Sequence, residues 1–268
     1  MMLKNKITRL LCVLPLILAL SACGQKEESH IIKVGATVGP HAQVVEAVAE
    51  EAAKQGLKVE VVTFSDYITP NAALADGSID INSYQHQPFL DNYNNNNKAQ
   101  LVSIGHSILM RMGIYSKKYH SLSELPDNAE ITIPNDPTNS GRGLLLLADA
   151  KLITLKPNVD DKATVYDIID NPKHLKFIEM DAAQLPRTLD DVAASVITMN
   201  YVMSSGLDPK KEGIYLEPKD TKLAIMVIAT RVADKDKESY KKFVEIYHSQ
   251  PIRDFIQKTF KGTIEPAF

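Results

Sequence analysis

From residue 31 onward the chain switches between two hydrophobic periods, and this alternation limits its fold more than any other feature. "IIKVGAT" (residues 31–37) is a short β-rich run. In the following "GPHAQVVEAVAEEAAKQG", Val44, Val45, Val48, Ala49 and Ala52 fall on one helical face, and Gly56 stops the helix. "LKVEVVTF" alternates as a strand. "TPNAALADG" reads as a short helix with Pro70 on its first turn and Gly77 at its end. "SIDINSY" is a further strand, and "QPFLDNYNNNNK" a helix that frays into its asparagine run. Successive parallel strands need a crossover, and a helix supplies it, so βαβαβα order predicts a mostly parallel sheet covered by helices on both faces.

The pattern breaks twice. "QLVSIGHSILMRMGIYSKK" holds two adjacent apolar runs with no helix between them. Strand–helix alternation then resumes through "AEITIPN", "SGRGLLLLADAKLI", "LKFIEMD" and "AASVITMNYVMSSG". It breaks again at "LAIMVIATR" (residues 223–231), which no helix follows until "DKESYKKFVEIYHS". Two long strands therefore bracket a second α/β unit. The expected fold is α/β, with two lobes joined by two chain crossings: residues 31–112 with 223–268 returning form lobe one, and residues 113–222 form lobe two. Ligands in open α/β sheets bind beyond the carboxyl ends of the strands, so two facing lobes share a cleft there.

The first residues read as a targeting segment. Lys4, Lys6 and Arg9 form a basic start, residues 10–20 ("LLCVLPLILAL") an apolar stretch, and "LSAC" ends it with small residues before Cys23. The apolar stretch is too short to span a bilayer comfortably, which favours a signal peptide over residues 1–22. Residues 23–30 are polar and read as a leash. Of two cysteines, Cys12 leaves with the leader, so no disulfide is expected in the mature chain. The leader also removes three basic residues and no acids, which takes the formal charge from −3 to −6. A mildly acidic globule is a poor partner for nucleic acid.

Candidate binding residues sit at strand ends. Arg142, in "IPNDPTNSGRGLLLL" (residues 133–147), is a lone cation at the start of an apolar helical run. A cation is unfavourable near a helix N-terminus, so either an anion sits there or the arginine is simply solvated. Thr138 and Asn139, in the turn before it, are available to cap or to bind. His86 and Tyr84 end the strand "SIDINSY" and its continuation, and Tyr67 ends the preceding one. A ligand-facing role and ordinary core packing both fit these three. Asn200 follows the strand at residues 194–197, where its amide can read a ligand or cap a helix. No GxSxG, HExxH, CxxC or P-loop motif occurs, and His41, His86 and His106 lack metal-ligand spacing. No catalytic residue, metal or cofactor is therefore expected.

"FSDYITPNAALADGSIDINSYQHQPFLD", "GIYSKK", "IPNDPTNSGRGLLLL" and "IIDNPKHLKFIEMDAAQLPRTLDDV", together with the lipobox-like "LSAC", resemble the NlpA/MetQ lipoprotein family across nearly the whole mature chain. The resemblance implies a two-lobe periplasmic-binding-protein fold of type II with the ligand buried between lobes. It implies a non-enzymatic substrate-binding lipoprotein of an amino-acid ABC importer, lipidated on Cys23. Such a protein is anchored to the cell membrane, faces the periplasm or the outside, and delivers its ligand to a permease and ATPase of the MetI/MetN type. It implies that Arg142 grips the ligand's α-carboxylate, with Tyr67 and His86 around it. L-methionine is the implied ligand, yet two positions depart from the family pattern. Thr198 stands first in Thr198-Met199-Asn200-Tyr201, where the family usually has asparagine. Met226 or a near neighbour replaces an asparagine on the returning strand. Another amino acid, a methionine derivative or a dipeptide thus fits as well, and a surface or sensory lipoprotein that has left transport is the alternative function.

Overall fold

A computed structural model describes residues 31–268; the expected signal peptide, lipidated Cys23 and leash lie outside the described residues. In chain order the first elements are β1 (Ile32–Thr37), α1 (Pro40–Lys54), β2 (Val59–Phe64), α2 (Thr69–Asp76), β3 (Ile81–His86), α3 (Gln87–Asn97) and β4 (Leu101–Leu109). Next come β5 (Met112–Tyr115), β6 (Glu130–Pro134), α4 (Pro137–Asp149), β7 (Thr154–Leu155), β8 (Ile168–Asp170), β9 (Lys176–Met180) and α5 (Leu185–Thr188). The chain ends with β10 (Ala194–Thr198), α6 (Met199–Ser204), β11 (Gly213–Leu216), β12 (Ile225–Arg231), α7 (Glu238–Tyr247), α8 (Gln250–Phe260) and β13 (Glu265–Pro266).

Two main sheets result. The first runs β13-β4-β12-β3-β1-β2 and the second β11-β5-β10-β6-β9. β1 lies parallel to β2 and β3, as a crossover helix requires, and β12 returns antiparallel between β3 and β4. In the second sheet β6 is parallel to β9 and β10, while β5 pairs antiparallel with β10. The fold is thus the expected two-lobe α/β arrangement. The chain first crosses at Met110 and Arg111, and Met112 already pairs with Thr198 in the second sheet. The first sheet therefore ends before residue 112, the limit expected for lobe one. The reason is that β4 and β5, adjacent apolar runs in sequence, belong to different sheets.

The first lobe holds two apolar clusters: a small one around Leu74, Ile79, Leu90 and Val227, and a large one that continues into the second lobe. Val44, Val48, Phe243 and Ile256 pack in the same cluster as Leu185, Ile197, Met199 and Val202. The second lobe has its own core around Ile131, Ile133, Leu144, Leu147 and Val196. The asparagine run does not fray. α3 continues through Asn97, Lys98 takes the left-handed conformation at φ 52°, and the exposed helix end has its own support. Asn94 Nδ2 donates to Leu101 O at 2.8 Å, and Leu101 N donates to Asn94 Oδ1 at 3.0 Å, so one amide satisfies both backbone groups where β4 starts.

The start of α4 also differs from the sequence expectation. The "PNDPTNSG" cluster is not a turn before the helix but its first turn. Asp136 is the N-cap, accepting from Asn139 N at 3.0 Å, with Pro137 next. Arg142 consequently sits in the second turn. α4 also packs unusually close to the loop before β8: a Cβ on Gly141 would fall 2.1 Å from Asp161 O and 2.5 Å from its carbonyl carbon. Only glycine fits, and backbone cannot rotate away as a side chain can. Gly141→Ala is expected to lower stability by about 1–3 kcal/mol, read as a lower urea midpoint; an unchanged midpoint would mean that the residue 161 loop yields freely.

Candidate functional site

Strand ends from both sheets converge on one cavity. Tyr67 follows β2, His86 closes β3, Thr198 closes β10, and Met226, near the start of β12, pairs with His86. Arg142 and Asn139 reach it from α4, which follows β6. Tyr84, Gln85, Phe89, Met110 and His41 complete the wall. The atom-free space is about 330 Å³, within the range of small-ligand sites. Hydrogen bonds across it hold the lobes closed in this arrangement.

Arg142 is 2 % exposed and fully engaged on one side. Its Nε donates to Glu217 Oε1 at 2.7 Å and its Nη2 to Glu217 Oε2 at 2.5 Å, a bidentate pair, while Nη2 also donates to Met110 O at 2.9 Å. Glu217 Oε2 accepts a third bond, from Met112 N at 2.6 Å. The free anion that the lone arginine suggested is therefore, in part, a carboxylate of this same chain. Nη1 takes part in none of these bonds and is the donor left for the cavity. Glu217 was absent from the sequence expectations. The signal that marks it is the same one that marks Arg142: a single charge at the edge of an apolar run, "GIYLEP".

Hydrogen bonds between the lobes cross the cavity. His86 Nδ1 accepts from Phe89 N at 3.1 Å, which leaves the proton on Nε2, and Nε2 lies 3.2 Å from Asn139 Oδ1. The Asn139 amide in turn donates to both oxygens of Asp136, at 3.2 and 3.1 Å. Burial, reinforced by the Arg142 charge, lowers the His86 pKa to about 3, so the ring is neutral. His41, in the first turn of α1, is lowered to about 3 by burial alone, and its Nδ1 has no hydrogen-bond partner among the described residues. Burial raises the Asp136 carboxyl above its ordinary value, against the Asn139 and Thr138 bonds that oppose it.

Tyr67 OH and Thr198 Oγ1 are 2.9 Å apart, another bond between lobes, and Tyr201 OH donates to Ser65 O at 3.3 Å. Tyr84 OH donates to Tyr67 O at 3.1 Å. The rings of Tyr67 and Tyr201 lie 4.7 Å apart, and Phe89 meets Tyr67 and Tyr84 edge-on. Burial raises the Tyr67 and Tyr84 phenols far above their ordinary value, so they act as neutral hydrogen-bonding groups.

Of the residues expected at the site, Tyr67, Tyr84, His86, Asn139 and Arg142 line this cavity together. Thr138 and Asn200 do not. Thr138 bonds to Asp136 Oδ1 at 3.2 Å and faces a separate outer groove shared with Asp160 and Lys162. Asn200 is buried in the first turn of α6, against Gly39 of the other lobe. It lies near enough to Tyr67 to favour the ionised phenol, yet neither amide atom makes a hydrogen bond of good geometry. Thr198 and Met226, the two departures from the family pattern, are both on the cavity wall.

The wall offers a guanidinium nitrogen, several neutral polar groups and an aromatic and thioether surface. That set can hold a small molecule with one carboxylate and an apolar body. A profile of the NlpA lipoprotein family matches residues 32–268. The D-methionine-binding lipoprotein MetQ of Salmonella typhi is 47 % identical over 250 residues, covering 91 % of this chain and 92 % of that protein. A nutrient-binding protein from Burkholderia cenocepacia, solved bound to methionine, is 45 % identical with a TM-score of 0.85, over 89 % of this chain and 100 % of that one. The crystal structure of the methionine-binding protein MetQ aligns at 44 % identity with a TM-score of 0.84, over 88 % of this chain and 98 % of that one.

Proposed function

This chain belongs to the NlpA lipoprotein family, and on that premise we propose that it is the substrate-binding lipoprotein of an amino-acid ABC importer, taking methionine or a near relative between its lobes. The observation that carries the reading is the single cavity where Arg142 stands opposite an aromatic and thioether wall. In our reading Arg142 Nη1 meets the ligand carboxylate. Asn139, His86 and the Tyr67–Thr198 pair hydrogen-bond its polar end. Tyr84, Phe89, Met110 and Met226 surround its side chain, and the thioethers adapt readily to a flexible apolar body. Thr138 and Asn200 are left out of this contact set: Thr138 bonds to Asp136 and faces the outer groove, and Asn200 does not line the cavity.

Mechanism follows from the inter-lobe bonds. Tyr67–Thr198, His86–Asn139 and Tyr201–Ser65 all span the cleft, so each is made on closing and broken on opening. The ligand enters the open form, closure shields it from water, and opening at the permease releases it. No bond of the ligand is changed. Cys23 carries the lipid in this reading, and residues 23–30 tether the lobes to the membrane on its periplasmic or outer side, next to the permease and its ATPase.

Titration calorimetry of the purified protein against an amino-acid panel tests this. Saturable binding of methionine, D or L, supports the reading. Tighter binding of another amino acid or a dipeptide would move the specificity and assign it to Thr198 and Met226. A protein that binds no member of the panel would overturn the transport role in favour of a surface or sensory lipoprotein.

A further inference from the structure

We propose that Glu217 sets the net charge of the ligand the site accepts: by cancelling Arg142 it confines the cavity to ligands whose carboxylate brings its own cation. This rests on the amino-acid reading above and adds a charge rule to it. Glu217 is 4 % exposed and gives both oxygens to the Arg142 guanidinium. Its own backbone sits in the second chain crossing, and Met112 N and Met110 O tie the pair to the first. The carboxylate therefore cannot swing out to solvent when a ligand arrives.

A ligand carboxylate approaching Nη1 thus meets a cation that is already compensated. Arg142 is the one charged side chain on the cavity wall among the described residues. Asp136, behind Asn139, is negative, and Arg111, whose Nη1 donates to Glu217 O at 3.4 Å, lines a separate groove with Lys210 and Lys261. His41 and His86 carry no charge in the closed form. A net anion would lose its hydration on closure and find no uncompensated cation on the cavity wall. A zwitterion enters with its ammonium beside its carboxylate, so no net charge is buried. The deaminated analogue of an amino acid, with a keto group in place of the ammonium, differs in just this respect.

The experiment is calorimetry on the detergent-purified full chain with L-methionine and with its α-keto acid, for the wild type and for Glu217→Gln, which keeps the shape and removes the charge. The wild type is expected to prefer methionine by about 100-fold or more, as sites do when a rejected ligand leaves buried charge uncompensated. In Glu217→Gln that preference is expected to shrink by about tenfold or more, because the freed guanidinium now favours the anion. A purely structural role for Glu217 would weaken both ligands together; an unchanged ratio would overturn the proposal. If the variant does not fold, the wild type still decides: a keto acid bound as tightly as methionine overturns it. A wild type that binds methionine but not the expected ratio defeats the charge rule alone, whereas one that binds neither ligand defeats the amino-acid reading and the charge rule with it.

Discussion

Arg142→Ala is expected to cost about 3–5 kcal/mol of folding stability and to remove ligand binding. The stability loss comes less from the arginine than from what it leaves behind. Glu217 is nearly as buried as Arg142, and two of the three hydrogen bonds its carboxylate accepts come from the guanidinium. Without the guanidinium, a carboxylate remains inside the protein with Met112 N as its remaining donor among these contacts. Breaking one side of a buried pair is far more damaging than removing both, since replacing such pairs with apolar groups is often neutral. The double substitution Arg142→Met with Glu217→Leu is therefore expected to recover most of the stability while still failing to bind. Urea unfolding and calorimetry on both variants separate the two effects. If Arg142→Ala unfolds at the wild-type midpoint, the pair is not the buried one described.

Mild acid is expected to destabilise the protein before its carboxylates titrate. His41 and His86 have folded pKa values of about 3, against 6.5 in the unfolded chain. Below pH 6.5 the unfolded chain takes up protons that the folded one refuses, so stability falls as pH falls, until the folded values are reached. Each unit costs about 1.4 kcal/mol per histidine. At pH 4.5, two units below the unfolded value, the two together remove roughly 5 kcal/mol. Carboxylates whose pKa is lowered by hydrogen bonds, such as Asp167 at about 2, add to the loss only at lower pH. Asp136, raised by burial, acts in the opposite direction. Urea unfolding at pH 7.5, 6.0 and 5.0 reads the slope, and replacing His41 with glutamine is expected to halve it. A flat profile from pH 7.5 to 5.0 would show that both rings protonate freely in the folded state.

Much of this molecule is legible one segment at a time. The order of strands and helices follows from hydrophobic period, because burial on one face of a local element repeats at the period of that element. The two-lobe arrangement follows from the two places where the period fails to alternate. Tyr67, His86 and Arg142 are legible as candidate site residues because they stand at the carboxyl ends of strands or on the helix just after one, where α/β connectivity puts ligands, and the three line one cavity. The helix start at Asp136 is not legible because "PNDPTNSG" has the composition of a turn, and its proline and asparagine serve a helix N-terminus equally well.

What joins distant segments could be decided only by the tertiary structure. Arg142 and Glu217 are 75 residues apart, and Tyr67 and Thr198 are 131 apart. No local period encodes either pair. Both depend on how two sheets meet across two crossings, as does the exclusion of Thr138 and Asn200 from the cavity. The sequence by itself determined the elements, the lobes and the lone arginine, since these are set by local burial and backbone preference. Closure of the lobes decided the arginine's partner and the charge left for a ligand, because an ion pair forms only where the fold brings both groups out of water together.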